Sequence, residues 1–224
     1  MASAIEMFGP PVSEFAGIRL DLGNLPAPSR AWFTTVDGSE LVQVQHDRFA
    51  LNWSQNPSGD EYPRYGWMRS KFEEKFRLFT TWVRNAELGP VELNQCELTY
   101  VNHIASGKGW ETYDQLADVF TVWNSPEVQP QGALIENANF ALRYRFFDDN
   151  GEPLGRLHVE SVPAQSIETG SPLFVLTLTA RGRPDGSDFE ACLATLDRAH
   201  ALTVRTFMSI TTAGMHQIWG LQHD

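Results

Sequence analysis

The stretch RAWFTTVDGSELVQVQHDRFALNW, Arg30 to Trp53, reads as three antiparallel strands in succession. Asp37-Gly38 divides a strand Arg30 to Val36 from a strand Glu40 to His46. Gly, and to a lesser degree Asp, tolerates the positive φ that a tight hairpin turn requires. In the third strand, Arg48 to Trp53, the residues Phe49, Leu51 and Trp53 alternate with Arg48, Ala50 and Asn52, the period-two pattern of a strand with one buried face. Strands that alternate, instead of running continuously apolar, belong to a one-faced antiparallel sheet and not to a parallel core covered on both sides.

Downstream, Asn56 to Trp67 is rich in Pro, Gly, Ser, Asp and Tyr without periodicity and reads as an ordered loop. Met68, Phe72, Phe76, Phe79, Trp82 and Ala86 then recur at helical spacing, with Lys71, Glu74 and Arg77 opposite, so a one-striped helix is expected. Gly89, by a left-handed cap, and Pro90 are expected to end it. The sequence then repeats the plan. Asn94 to Ile104 is a strand with Cys96, Leu98, Tyr100, Asn102 and Ile104 on one face. Ala105 to Ala133 is a mixed insertion with a short helix near Glu111 to Val119. Asn139 to Phe147, Leu154 to Val162 and Leu173 to Arg181 form a meander, with Asp148 to Gly151 as a turn. A long helix follows from Ser187 or Asp188, carrying Phe189, Leu193, Leu196, His200, Thr203, Phe207 and Ile210 on one stripe.

The expected fold is therefore α+β in a single domain, 1–224, made of two pseudo-repeated ββββα halves, about 11–90 and 91–220. In the first half the leading strand is Phe15 to Leu22 and the insertion Gly23 to Ser29. Side by side, two such halves make one curved sheet with both long helices on one face, resembling the saddle of TATA-binding-protein-like folds. A helix-grip arrangement is the alternative, and it leaves the Met68 to Ala86 helix without an obvious place.

At 224 residues, 42% hydrophobic and 12% aromatic, the chain can build a core without metals or disulfides. Its 17 basic and 28 acidic side chains leave a net charge of −11, which repels phosphate backbones and anionic lipid and disfavours nucleic acid and membrane partners. Cys96 and Cys192 each sit in an apolar pattern and read as small hydrophobes, with no disulfide expected between them. Met1 to Pro11 has no signal-peptide character and no segment has the length of a membrane span. A cytoplasmic protein is the expectation.

Several strings stand out together: Leu51-Asn52-Trp53, Tyr62-Pro63-Arg64-Tyr65, Cys96 to Ile104, and His216 to Gly220. As a set they resemble a sporadically distributed family of uncharacterised prokaryotic proteins of similar length, over about Pro11 to Trp219. The strand string ending in Asn102-His103-Ile104 is the most specific part. The resemblance implies no particular activity. Ser54 and Gly66 stand where that family commonly has a basic and an acidic residue, which removes from this chain any ion pair built there.

Chemistry-bearing motifs are sparse. The six histidines include no pair at i, i+4, and there is no Cys-x-x-Cys. His158 and Glu160 share one side of a strand, which reads as a solvated face. Cys192 has no neighbouring base, and Gly107-Lys108-Gly109 lacks the spacing of a phosphate loop. His200, within an apolar stripe, reads as a hydrogen-bonded core histidine. No metal, cofactor or intrinsic enzyme activity is expected. The remaining candidate is a polar-aromatic binding set of Asn52, Trp53, Tyr62, Arg64, Tyr65, Asn102 and His103, composed of residue types common at binding hot spots. The bland alternative has Arg64 and Tyr65 pinning the loop while Asn52 and Asn102 satisfy backbone. These features point to a non-catalytic binding protein, a protein-binding subunit or accessory, defence-type factor. The alternative is a small-molecule binder or enzyme using Arg64, Glu97 and His103.

Overall fold

The computed structural model describes residues 30–55, 62–123 and 131–221. The expected strand Phe15 to Leu22, the insertion Gly23 to Ser29 and residues 56–61 of the expected loop lie outside the described residues. The chain divides into two compact units, Gly9–Glu92 and Leu93–Asp224 with Met1–Phe8. Each unit combines an antiparallel sheet with helix, three strands in the first and four in the second among the described residues.

In the first unit β1 (Ala31–Thr34), β2 (Glu40–Gln45) and β3 (Arg48–Trp53) form the meander, followed by α1 (Tyr65–Asn85). The β1–β2 turn is wider than a two-residue hairpin. Gly38 alone takes positive φ, at 74°, while the Asp37 carboxylate accepts from Thr35 Oγ1 at 2.6 Å and from Ser39 N at 3.1 Å. The hydrogen bond from Thr35, then those from Ser39, hold the Asp37 carboxyl below its ordinary pKa. Phe49 of β3 meets the rings of Phe72, Phe76 and Phe79 at 5.8, 5.4 and 5.2 Å, so this one strand residue anchors the aromatic stripe of α1 on the sheet. Trp82 departs from that stripe and is 58% exposed. At 3.6 residues per turn Val83 lies closer to the Phe72–Phe76–Phe79 line, and Val83 is the buried one.

Helix α1 opens at Tyr65, three residues before the apolar stripe begins, with the Arg64 carbonyl accepting from Trp67 N and Met68 N at 3.0 and 3.3 Å. It closes in a Schellman motif, Glu87 N to Arg84 O and Leu88 N to Val83 O. The left-handed residue there is Glu87, φ 54°, and not Gly89.

In the second unit β4 (Cys96–Ala105) is followed by a 3-10 turn (Tyr113–Gln115), α2 (Leu116–Val119), β5 (Phe140–Phe147), β6 (Pro153–Gln165), β7 (Pro172–Gly182), α3 (Phe189–Ile210) and α4 (Ala213–Ile218). Asp188 caps α3 by accepting from Ala191 N at 2.7 Å. Helix α3 packs on β4 and β7. The inner sheet face contributes Leu157, Val159, Phe174, Leu176, Leu178 and Ala180, all fully buried. The segment after β4 closes this core. Trp110 lies 4.6 Å from the Phe174 ring, Phe120 stacks edge-on against Phe174 and Phe140, and Leu116 and Val119 are fully buried. It is tied to the end of α3 by Thr121 N to Ile210 O and Thr212 N to Val119 O. What reads in sequence as an insertion is the centre of the core. Gly107-Lys108-Gly109 is part of it, since a Cβ on Gly109, φ 87°, would strike Ile218 and Met215 of α4.

One inner row of this sheet has an unusual composition. Cys96 opposes Gly182, Gly182 opposes Gly155, and Gly155 opposes Phe146. The Phe146 ring lies where a Gly155 Cβ would be, and that Cβ would also fall 2.5 Å from Arg181 O.

Candidate functional site

The polar-aromatic set divides between the two units. In the first, Trp53 meets Tyr62 edge-on at 5.3 Å, and Tyr62 is 49% exposed. Asn52 points to the opposite side of β3 by strand alternation and donates from Nδ2 to Leu41 O, its cross-strand partner, at 3.4 Å. Arg64 is exposed and caps α1 through its carbonyl, its side chain making no capping hydrogen bond, and Tyr65 is the first residue of α1. In the second unit Asn102 repeats the Asn52 arrangement, donating to Leu176 O, again its cross-strand partner, at 3.3 Å. His103 is exposed on the outer face of β4. Glu97 shares that face, but six residues of strand separate the two by about 20 Å, too far for joint acid–base work. Glu97 is engaged by Arg181 Nε at 2.5 Å.

Two further histidines have structural positions. His200 Nδ1 lies 3.0 Å from Tyr100 OH, and burial lowers its pKa while nearby Asp197 partly opposes that shift. His216, buried between α3 and α4, lies 2.7 Å by Nε2 from Thr211 Oγ1. Thr211 Oγ1 also donates to Phe207 O, so the imidazole Nε2 is the donor in the pair. Among the described residues no three His, Cys, Asp or Glu side chains come close enough to hold a metal ion. No described helix is long and apolar enough to cross a membrane. An open groove of about 560 Å³ at the end of α1, lined by Val83, Arg84, Pro90 and Val91, is too shallow to enclose a ligand.

The most concentrated chemistry lies on the outer face of the four-stranded sheet, opposite α3. The registers of its three ladders place Glu97, Arg181, Arg156 and Arg145 in one cross-strand row. The next row holds Thr99, Thr179, His158 and Arg143, and the next Val101, Thr177, Glu160 and Ala141. Arg143 and Arg145 are exposed, as are Val101 and Val162 at 57% and 44%. The sequence shows Arg143 and Arg145 two residues apart on one strand face. It does not show the register that lines up Arg145, Arg156 and Arg181, because pairing is a tertiary property.

The chain matches no protein-family model, no curated protein and no solved structure.

Proposed function

We propose that this chain is a non-catalytic interaction protein, a protein-binding subunit or accessory, defence-type factor, that receives an acidic segment of a partner protein on the outer face of the β4-β7-β6-β5 sheet. The row of Arg145, Arg156 and Arg181 on adjacent strands carries this reading. Glu97 balances Arg181 at one end of the row, but Arg156 and Arg145 are like charges set directly opposite one another, an arrangement that costs stability. Guanidinium groups bind carboxylates bidentately, and Val101 and Val162 offer apolar contact beside them. An exposed sheet face suits a macromolecule better than a small molecule, which needs enclosure. In the first unit, exposed Trp32 and Phe33 of β1 and the Trp53–Tyr62 pair supply aromatic contact surface. Phosphates also pair with arginine, but a nucleic acid carries a long, dense line of negative charge, so the net charge of −11 and the carboxylates of Glu97 and Glu160 oppose it more than they oppose a short acidic segment.

The test is fluorescence anisotropy with an Asp/Glu-rich peptide and with single- and double-stranded DNA as probes. Peptide binding should weaken with salt and fall roughly tenfold in the Arg143→Glu/Arg145→Glu variant, whose thermal midpoint stays at the parent value. Tighter binding of DNA than of peptide, or a variant that binds the peptide as well as the parent, would overturn the proposal.

We also propose that the two units are pseudo-repeats joined in a TATA-binding-protein-like saddle, with the helix-grip arrangement as the alternative. Support comes from each unit taken by itself, a meander followed by a long helix, and from β4 standing at the edge of its sheet among the described strands. An experimental structure in which the units do not superimpose by a near two-fold rotation would refute it.

A further inference from the structure

Cys96 is the first residue of β4, an edge strand, and faces inward; Cys192 is the fourth residue of α3. Their sulfur atoms lie 2.8 Å apart, both residues are buried at 6% and 5% exposure, and both are free thiols. A disulfide needs about 2.05 Å between sulfurs, so closure asks for a movement of under about one ångström, within the reach of two χ1 adjustments.

We propose that Cys96 and Cys192 are a modification site, a thiol pair that forms a reversible intrachain disulfide by exchange with a low-molecular-weight or protein disulfide. The bond would fasten the first turn of α3 to the first residue of β4. Cys192 is the attacking group. The hydrogen bond from the Cys96 thiol favours the Cys192 thiolate against the opposing effect of burial, and the same hydrogen bond, then burial, keeps Cys96 protonated. The Cys192 thiolate attacks the oxidant's disulfide, forming a mixed disulfide and releasing one thiolate. Cys96 then loses its proton and displaces the second. Overall one oxidant disulfide becomes two thiols, and two protein thiols become one disulfide. Access comes from fraying at the end of the edge strand, where the preceding Glu92 and Asn94 are exposed.

The test uses the full chain treated with oxidised glutathione or with dithiothreitol, then denatured, alkylated and weighed intact. The oxidised chain should be monomeric, lighter than the reduced chain by two hydrogens before alkylation, and closed to alkylation at both cysteines, with the 96–192 link found by peptide mapping. Its thermal midpoint should rise by roughly 10 °C, as expected for a link spanning so much chain, and return on reduction. Two alkylated thiols after prolonged oxidation, a persistent glutathione adduct, an intermolecular dimer or a lowered midpoint would overturn it. These measurements are made on the unmutated chain without any partner, so they stand or fall separately from the docking proposal.

Discussion

In the N-terminal unit α1 lays Phe72, Phe76 and Phe79 against Phe49, and no residue of β1, β2 or β3 is fully buried. Trp32, Phe33, Leu78 and Trp82 face solvent. In the C-terminal unit a similar meander and a helix of similar length enclose a continuous core from Ile104 to Met215. The difference lies in the segment after β4, which drives Trp110, Leu116, Val119 and Phe120 between the sheet and the end of α3. Among the described residues of the first unit the sheet meets one striped helix, whereas in the second a third layer of side chains makes an interior. The apolar surface left over in the first unit is of the kind that partners use.

Truncating the centre of the second core should have the largest effect. Phe174→Ala removes the ring shared by Trp110, Tyr113 and Phe120 and should cost about 3–5 kcal/mol in denaturant unfolding. Next comes Gly155→Ala, whose methyl group must displace the Phe146 ring and should cost about 1–3 kcal/mol. Trp82→Ala in α1, by contrast, should change stability by less than about 0.5 kcal/mol. Were it to cost as much as Phe174→Ala, the distinction between the units would collapse. Glu87→Gly relieves a left-handed glutamate and should stabilise by up to about 1 kcal/mol, read as a shift in the urea midpoint at constant slope.

A pH series sharpens the comparison further, because His200 belongs to the second unit alone. Its folded pKa lies below its unfolded value, so below about 6.5 the unfolded chain binds the extra proton. The His200 contribution is therefore complete above that pH and is lost as pH falls from there through the lower folded pKa. Unfolding midpoints from pH 7.5 down to pH 5 should fall less steeply in His200→Asn than in the parent. Equal slopes would remove His200 from the account.

Local pattern carried the elements, and pairing carried the site. The three strands of the first meander, the two long helices and the Asp188 cap depend on neighbours in sequence and are where they were read, while the stripes hold only in part: Val83 replaces Trp82 in α1, and Phe189, His200 and Phe207 of α3 are only half-buried. Asn52 and Asn102 were legible as amides that strands must satisfy; their donation to the carbonyls directly opposite was not. Trp110 and Phe120 lie outside the short helical turns of their segment and follow no periodicity, so nothing in the string marks them as the largest of its fully buried side chains. The alignment of the arginines arises only when strands find their register, and the juxtaposition of Cys96 with Cys192 only when α3 packs on β4.

The Phe146 ring over Gly155 and Gly182 works as a key that admits only one alignment of β5. Slide that strand by a single residue and Arg145 or Phe147 would come to rest on the glycine pair, while Arg143 and Arg145 would swing inward among Leu157 and Val159. An arginine there would be buried against bare backbone, and although Phe147 could cover the glycines as Phe146 does, that slip is excluded by the burial of Arg143 and Arg145 that comes with it. The same hollow that makes Gly155 intolerant of a methyl group thus decides which side of the sheet the positive charge is shown on.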